Sequence, residues 1–230
     1  MRSPIVFYHI ACSWPETRYS RPATKWREIV EEQIQQWKQS ELIKSAYFYI
    51  GINGTREEYD EACSMLPNIS HCWYNGFDAA WEIPTINRMV EIIKDISDDT
   101  PICYHHTKGV SWCKRSNVKW RQAMQWYCIE NWEKCIEYLK DVDACGAFLR
   151  IDKRWNPHFA GNFFWAKSEY LKTLPRITDQ SLRVNAELWI NSNNNMTAVN
   201  FTGEQRNLKK YSMRTFKNSI VAKSAMQRGE

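Results

Sequence analysis

Residues Pro101-Ile-Cys-Tyr-His-His-Thr-Lys-Gly-Val-Ser111 hold the clearest structural signal in the chain. The apolar first half ends abruptly in two imidazoles, a hydroxyl, an ammonium and a glycine, which indicates a buried strand followed by a polar turn. Open α/β sheets bind their ligands just beyond the carboxyl ends of such strands. Lys108 supplies a cation there, and Gly109 lets a ligand approach the backbone closely, a combination that suits a phosphate. We therefore predict a ligand site at this turn.

Strand-like and helix-like segments alternate around this stretch. Segments 5–10 and 46–54 have the β-branched and aromatic composition of strands, and apolar residues at helical spacing between them predict a helix over 24–38. A strand–helix–strand start favours a parallel sheet, so we predict an α/β fold with a mostly parallel central sheet flanked by helices. The other predicted elements are strands over 69–74, 102–104, 144–151 and 159–166, helices over 83–96, 117–139, 168–174 and 182–190, and a peripheral helix or disordered segment over 209–228.

Length and composition bound the class of protein. We expect one domain from the 230 residues, and a content of 43% hydrophobic and 25% charged residues excludes a disordered or fibrous protein. Thirty-one basic against 26 acidic residues give a net charge of +5, which is low for a dedicated nucleic-acid-binding protein but sufficient for a phosphorylated ligand. The twelve tryptophans fit either stacking faces for sugars and nucleobases or an aromatic-rich core.

Metal, redox and membrane signals are weak. The eight cysteines form no Cys-x-x-Cys pair, which excludes a zinc ribbon or a thioredoxin-type site. Asp141 and Asp143 are candidate ligands for Mg²⁺ or Mn²⁺, but they follow a predicted helix rather than a buried strand, so a helix-ending turn is the favoured interpretation. No apolar run reaches the roughly 18 residues of a membrane span, and the first strand is too short for a signal peptide. We expect a cytoplasmic protein.

Two groups of residues have the chemistry of a binding site. Adjacent residues of a strand point to opposite faces, so His105 and His106 are not expected to bind one ion together, and one of them is expected to face the ligand. In the segment that begins at His158, Gly161 permits close approach of the backbone and Asn162 offers both a donor and an acceptor. Trp165 adds a stacking face. A core strand explains the aromatics of this segment but not its histidine, glycine and asparagine.

Five motifs together resemble one family. They are Tyr104-His-His-Thr-Lys-Gly-Val-Ser, the Trp- and Met-rich helix after it, Asp143-Ala-Cys-Gly, His158-Phe-Ala-Gly-Asn-Phe-Phe-Trp-Ala and Ala186-Glu-Leu-Trp189. Over about 101–189 the chain resembles small GT-A-like glycosyltransferases of bacteria and large DNA viruses, including those with which chloroviruses build capsid glycans. The resemblance implies a single GT-A-like domain with a nucleotide-binding half over about 1–110, an acceptor half over about 111–208 and a basic tail over 209–230.

The same resemblance implies an activity, namely transfer of a sugar from a UDP- or GDP-sugar to a glycan or glycoprotein acceptor. Glu187 is the expected base, with Glu82 and Asp78 as second choices, and a carboxylate in the acceptor half favours inversion. Lys108 and His106 are the other expected catalytic residues. The expected nucleotide-sugar contacts are His9, Asn53, His105, Thr107 and Gly109, and the expected sugar or acceptor contacts are His158, Gly161, Asn162, Trp165 and Trp189.

Two departures from the family pattern leave it open whether the activity depends on a metal ion. His-Thr-Lys-Gly replaces the usual Asp-x-Asp, and Phe164 stands where a second tryptophan is expected. Transfer assisted by Mn²⁺ or Mg²⁺ and transfer without a metal therefore both remain compatible with the sequence.

Two other functions are compatible with parts of the sequence. A non-catalytic carbohydrate-binding module would use the tryptophans and bind glycan without nucleotide. A nucleic-acid-binding protein would use the basic tail and the aromatic residues, but the modest net charge counts against it. We expect neither a nucleic-acid partner nor a membrane span.

Overall fold

The computed structural model describes residues 2–17, 19–20, 22–68, 70–111, 114–152 and 155–202. The predicted basic tail over 209–230 lies outside the described residues. The strands are β1 (Ile5–Ala11), β2 (Tyr47–Asn53), β3 (Ser70–Gly76), β4 (Pro101–His106), β5 (Ala144–Gly146), β6 (Leu149–Asp152), β7 (Trp155–Phe159), β8 (Phe164–Lys167) and β9 (Ala198–Asn200). The helices are α1 (Trp26–Gln39), α2 (Leu42–Ser45), α3 (Arg56–Met65), α4 (Ile83–Ile92), α5 (Arg115–Gln125), α6 (Trp132–Tyr138), α7 (Ser168–Lys172) and α8 (Val184–Leu188).

The central sheet has seven strands in the order β3-β2-β1-β4-β8-β5-β9, and β6 and β7 form a separate two-stranded sheet. Strands β3, β2, β1 and β4 run parallel to one another, whereas β8 is antiparallel to both β4 and β5. The mostly parallel sheet carries helices on its faces, which confirms the predicted α/β fold class with a mostly parallel central sheet. The finer GT-A-like assignment stays a prediction. The division into a nucleotide half and an acceptor half stays a prediction.

Both faces of the sheet are covered, because apolar residues point to each side in turn. On one face, Val6 and Tyr8 of β1 share a buried cluster with Trp37 of α1. On the other face, Phe7 belongs to a second cluster with Ile86 of α4. Strands buried on both sides need continuous apolar sequence rather than alternation, which is why β1 and β4 were recognisable as short apolar runs.

Some predicted elements are divided by residues with left-handed backbone. The predicted strand over 144–151 is interrupted at Phe148, which has a φ of 61°. The predicted strand over 159–166 is interrupted by Gly161 and Asn162, whose φ angles are 95° and 58°. These positive φ angles end the extended conformation, so β7 and β8 belong to different sheets.

The long helix predicted over 117–139 is also divided. A five-residue π-helical turn, Trp126–Glu130, separates α5 from α6. Asn131 ends this turn, and its amide Nδ2 donates to the Trp126 carbonyl at 2.7 Å. An asparagine that binds the backbone locally competes with the regular helical ladder, so the apolar periodicity continues while the helix does not.

Candidate active site

A cleft of about 480 Å³, counting the part open to solvent, lies at the carboxyl ends of β1, β2 and β4. The parallel strands bring polar residues from different parts of the chain to this edge of the sheet, as expected for an open α/β fold. The residues that line the cleft are His9, Ala11, Trp14, Tyr19, Asn53, Ala79, Trp81, Glu82, His106, Thr107, Val110, Ser111 and Arg183.

His9 and Asn53 line this cleft, and their assignment as nucleotide-sugar contacts stays a prediction. His9 Nδ1 lies 2.8 Å from Thr85 Oγ1, and burial lowers the pKa of His9 to about 3, so its imidazole is neutral at physiological pH. Asn53 donates through Nδ2 to the Trp81 carbonyl at 2.7 Å and accepts through Oδ1 from Asn75 at 2.9 Å. Asn53 therefore holds the backbone of Trp81, which has a φ of 50°.

His106 lies at the end of β4 and connects the cleft to the glycine-asparagine turn. The ring Nε2 lies 2.9 Å from the carbonyl oxygen of Gly161, and Nδ1 lies 3.4 Å from Glu82 Oε1. Burial is the main cause that lowers the pKa of His106 to about 3, and the nearby Lys108 ammonium acts in the same direction. His106 is thus a buried neutral imidazole with a partner at each ring nitrogen.

The turn after β4 is tied to β1 by Thr107. The Thr107 hydroxyl accepts from the Ala11 amide at 3.0 Å, and its own amide donates to the His9 carbonyl at 3.0 Å. Gly109 follows with a φ of 99°, and a Cβ at this position would lie 3.2 Å from Arg121 Nη1. Arg121 Nη1 also donates to the Lys108 carbonyl at 3.0 Å, so a buried guanidinium supports the turn.

Lys108 points into the protein, where its side chain is only 10% exposed. Its Nζ lies 3.7 Å from Glu187 Oε1 and 4.4 Å from the ring centre of Trp120. Burial lowers the pKa of Lys108 more than the attraction of Glu187 raises it, so the net shift is downward. The Glu187 carboxylate and the ring of Trp120 together hold the Lys108 ammonium in place.

Glu187 completes this group from helix α8. Its Oε2 accepts from the Gly161 amide at 3.2 Å, and its side chain is 21% exposed. Burial alone raises the pKa of Glu187, but Lys108, the Gly161 amide and Arg183 outweigh it, and the net pKa lies below the usual glutamate value. Glu187 is therefore an ionised carboxylate at neutral pH, the state that accepts a proton.

Asn162 is buried behind Gly161 rather than open to a ligand. Its Nδ2 donates to Glu82 Oε2 at 2.7 Å and to the Ala186 carbonyl at 3.3 Å. Because both partners are acceptors, the orientation of the amide is defined. The structure therefore brings together His106, Gly161, Asn162, Lys108 and Glu187, which the sequence had assigned to two separate groups.

His105 is not at the cleft, which corrects its assignment as a nucleotide contact. It is fully buried on the α1 face of β4, with its ring centre 4.5 Å from that of Tyr8 and 5.6 Å from that of Trp37. Among the residues that the structure describes, neither of its ring nitrogens has a hydrogen-bond partner, and burial lowers its pKa well below the usual histidine value. The predicted alternation is correct, and His106 is the histidine on the cleft side.

Trp165 and Trp189 are also in the core, which corrects their assignment as sugar or acceptor contacts. Trp165 is completely buried and donates through Nε1 to the Cys128 carbonyl at 2.7 Å. Trp189 is 3% exposed and donates to the Pro175 carbonyl at 2.7 Å. His158 of β7 is 2% exposed, with Nδ1 2.8 Å from the Asn156 carbonyl, and it does not line the cleft.

The acidic pair Asp141 and Asp143 lies near the amino-terminal end of β5, at the opposite end of the strands from the cleft. Asp143 immediately precedes β5, which runs in the same direction as β4, and its Oδ2 accepts from the amide and hydroxyl of Thr197. Asp143 therefore has a structural role, because it holds Thr197 at the start of β9. Within the described residues, no three His, Cys, Asp or Glu side chains lie close enough together to hold a metal ion.

Several residues of the cleft could not be recognised from local sequence patterns. Arg183 lines the cleft from the loop before α8, where nothing in the local pattern distinguishes it from other exposed arginines. Trp14, Tyr19 and Trp81 supply aromatic faces there. Glu82, a second-choice base, is 4% exposed and lies at the start of α4, and the glutamate-isoleucine-proline sequence marks that helix start.

Comparison with known proteins identifies the family. Residues 7–216 match the family described as Domain of unknown function (DUF8361). The chain belongs to this family. No curated protein matches it.

Two solved structures are distantly similar. A 4-diphosphocytidyl-2C-methyl-D-erythritol synthase is 14% identical, with a TM-score of 0.45 over 93% of this chain and 95% of that one. A protein described as a nucleotide-diphospho-sugar transferase, from Desulfovibrio desulfuricans G20, is 10% identical, with a TM-score of 0.39 over 80% of this chain and 73% of that one. In the part of the chain that the structure describes, no helix is long and apolar enough to cross a bilayer.

Proposed function

We propose that this member of the family is a glycosyltransferase that uses a nucleotide-sugar donor. The observation that carries the proposal is the grouping of an ionised carboxylate, Glu187, with two cations, Lys108 and Arg183, next to the cleft at the carboxyl ends of the parallel strands. A donor diphosphate needs cations, and a hydroxyl nucleophile needs a base, so the group contains what glycosyl transfer requires.

The proposed reaction breaks the bond between the anomeric carbon and the diphosphate oxygen, whose electron pair leaves with the diphosphate. The acceptor hydroxyl forms the new bond to the anomeric carbon, and its proton passes to the Glu187 carboxylate. Arg183 and Lys108 offset the negative charge that develops on the leaving group. The base or the sugar of the donor would pack against aromatic rings that line the cleft, such as those of Trp14 and Tyr19.

We further propose inversion at the anomeric carbon, because Glu187 acts as a base on the acceptor rather than as a nucleophile. The resemblance described above supports a glycan or glycoprotein acceptor in capsid or surface-glycan synthesis, and a cytoplasmic site of action, in the host if the protein is viral. Among the side chains, Lys108 and Arg183 supply the charge compensation in this proposal, which is compatible with transfer with or without Mn²⁺ or Mg²⁺.

The test is a thermal-shift titration with UDP, GDP and a panel of UDP- and GDP-sugars, each with Mn²⁺ and with EDTA. A ligand that binds only the native state raises the apparent Tm, by an amount that grows with its concentration. We expect one nucleotide series to raise the Tm of the wild-type protein and to lose most of this effect in Arg183→Gln. The proposal is rejected if no nucleotide sugar raises the Tm or is consumed in the presence of glycan acceptors, whichever metal condition is used.

A further inference from the structure

A chain of hydrogen bonds runs from the edge strand β3 to the cleft, and its first donor is an indole. Trp73 Nε1 donates to Asn75 Oδ1 at 2.9 Å. An indole N–H can only donate, so the oxygen of the Asn75 amide must face Trp73. The nitrogen of that amide, Nδ2, then lies next to Asn53 Oδ1 and Thr85 Oγ1, each at 2.9 Å. Asn75 is therefore a donor to Thr85.

The branch of this chain through Asn53 supports the same direction. Asn53 accepts from Asn75 through Oδ1, so its own nitrogen is at the other end of the amide, where it donates to the Trp81 carbonyl at 2.7 Å. A carbonyl oxygen can only accept. A group that can only donate and a group that can only accept thus bound the chain, and turning either amide around would place like groups in contact.

Thr85 passes this direction on to His9. Thr85 is fully buried in α4, and its Oγ1 lies 2.8 Å from His9 Nδ1. Among the described residues, Asn75 Nδ2 and His9 Nδ1 are the hydrogen-bond partners of this hydroxyl. Because Asn75 donates to Thr85, only His9 Nδ1 can accept the hydroxyl hydrogen. A hydrogen on Nδ1 would leave the buried hydroxyl without an acceptor, so Nδ1 has the lone pair and Nε2 carries the ring hydrogen.

Gly51 of β2 makes room for these contacts. It is paired with His9 in the ladder between β1 and β2. A Cβ at this position would overlap Thr85 Oγ1 and would lie 2.9 Å from Asn75 Nδ2. The absence of a side chain at Gly51 therefore lets the residues of α4 and β3 meet above the sheet.

The second ring nitrogen of His9, Nε2, is open to the cleft that His9 lines. No described residue forms a hydrogen bond with Nε2, and Nε2 is not one of the enclosed polar atoms that lack a partner. Burial lowers the pKa of His9 to about 3, which agrees with a ring that carries a single hydrogen. His9 thus presents an N–H group, and not a lone pair, to the cleft.

We propose that His9 donates a hydrogen bond through Nε2 to the ligand of the cleft. Trp73, Asn75 and Thr85 are positioning residues, because they fix the ring hydrogen on the nitrogen that faces the ligand. A neutral His9 with this hydrogen has no lone pair in the cleft, so it cannot take the proton of an acceptor hydroxyl. That role is left to Glu187.

The ligand atom at His9 is an oxygen that can only accept. Arg183 lines the same cleft and can also only donate, so the two residues select the same kind of atom. A phosphoryl oxygen of a diphosphate and a carbonyl oxygen of a nucleobase both have this chemistry, and a charged phosphoryl oxygen would form the stronger bond. This choice of ligand rests on the function proposed above, whereas the position of the ring hydrogen does not.

The first experiment records two-bond ¹H–¹⁵N correlations of the histidine rings at neutral pH, with His9→Gln to assign the His9 signals. We expect Nε2 of His9 to carry the hydrogen in the wild-type protein. Asn75→Asp replaces the donor to Thr85 by a carboxylate oxygen that accepts the hydroxyl hydrogen, so Nδ1 should gain a hydrogen in that variant. A hydrogen on Nδ1 in the wild type overturns the proposal, whether or not Asn75→Asp folds. An unchanged Nδ1 in folded Asn75→Asp contradicts the positioning role of Asn75.

The second experiment measures by calorimetry the binding of UDP, GDP, uridine, guanosine and inorganic pyrophosphate. We expect His9→Phe, which keeps a ring but no donor, to weaken binding of the preferred nucleotide about tenfold. Thr85→Val should reproduce much of this loss, and Thr85→Ser, which keeps the hydroxyl, should restore the affinity. A loss that pyrophosphate shares assigns His9 to a phosphoryl oxygen, and a loss that the nucleoside shares assigns it to a base carbonyl.

Two further outcomes of the calorimetry separate this proposal from the proposed function. Equal nucleotide affinity in wild type and His9→Phe shows that His9 does not bind the ligand and overturns the proposal. If neither UDP nor GDP binds the wild-type protein, the proposed function fails, and the ¹H–¹⁵N correlations still decide which nitrogen of His9 carries the hydrogen.

Discussion

The Nζ atom of Lys108 lies 3.7 Å from Oε1 of Glu187, which joins the turn after β4 to helix α8. The same carboxylate binds the Gly161 amide through its other oxygen. Three segments that are far apart in the sequence therefore meet at one carboxylate. Because this carboxylate is ionised and its surroundings are mostly buried, a change to any of the three segments is expected to alter both its basicity and its orientation.

Replacing Glu187 by glutamine is expected to remove the proton acceptor while keeping an oxygen that accepts from Gly161. Loss of a general base typically costs about 10²- to 10⁴-fold in rate. We expect kcat with the identified donor to fall within this range, with the Tm close to wild type. Glu169→Gln, on the exposed part of α7, is the matched control and should keep full turnover. Near-normal turnover in Glu187→Gln excludes Glu187 as the base.

Replacing Lys108 by methionine is expected to keep the packing over Trp120 and to remove the charge. Because Lys108 lowers the pKa of Glu187, the pKa of Glu187 should rise and the acid limb of the kcat profile should move to higher pH. Donor affinity should fall at least tenfold, a change of about 1.4 kcal/mol. Lys38→Met, at the exposed end of α1, is the control. An unchanged acid limb together with unchanged donor affinity contradicts both assigned effects of Lys108.

Replacing Gly161 by alanine is expected to destabilise the protein in two ways, through backbone strain and through a steric clash of the new Cβ. The new Cβ would lie 2.6 Å from Met124 Sδ, and the φ of 95° is rarely adopted by residues with a side chain. Gly76→Ala is the control, because its φ is 104° but, apart from its chain neighbours, no atom of the described residues lies within 4 Å of the added Cβ. Each strained residue costs on the order of 1–3 kcal/mol, so Gly76→Ala reports the strain alone. Urea unfolding should show a larger loss of unfolding free energy in Gly161→Ala, and equal losses would mean that the contact with Met124 relaxes without cost.

Histidine burial predicts a loss of stability in acid. The pKa of His9 is about 3 in the folded protein and about 6.5 in the unfolded chain, so the unfolded chain binds a proton that the folded protein does not bind between these pH values. Stability is therefore full above about pH 6.5 and falls as the pH decreases below it, by about 1.4 kcal/mol per pH unit for each such histidine. His9→Gln removes one proton from this uptake, so its stability should depend less steeply on pH between 6 and 4. Urea unfolding at several pH values compares the slope of the unfolding free energy against pH in wild type and His9→Gln. Equal slopes in the two proteins would contradict the neutral state of His9.

The local pattern predicted the strands that carry the cleft and the residues at their ends. The strands β1 and β4 are continuous apolar runs because both of their faces are buried, and His9, Asn53 and His106 are polar residues at or near the ends of their strands. Parallel strands bring their carboxyl ends to one edge, so this part of the site followed from the fold class alone.

The positions of the other candidate site residues depended on contacts between segments that are distant in the sequence. Arg183 and Glu187 come from a short helix and its preceding loop, whose position relative to the sheet no local pattern encodes. Trp165 has the same aromatic character as a ligand-stacking residue, and only its packing against the π-helical turn, with a bond to the Cys128 carbonyl, shows that it is a core residue. Composition therefore overestimated the number of tryptophans available to a ligand.

His105 and His106 show most simply which features the sequence determined and which depended on the tertiary structure. Alternation along a strand is a local property of the backbone, so the sequence alone determined that the two imidazoles point to opposite faces of the sheet. Which face is open depends on the elements that pack there. Trp37 of α1 and Tyr8 enclose His105, whereas on the other side Glu82, at the start of α4, and the Gly161 turn leave His106 at the floor of a cleft. Tertiary packing made this choice, because it alone sets which side chains are removed from water.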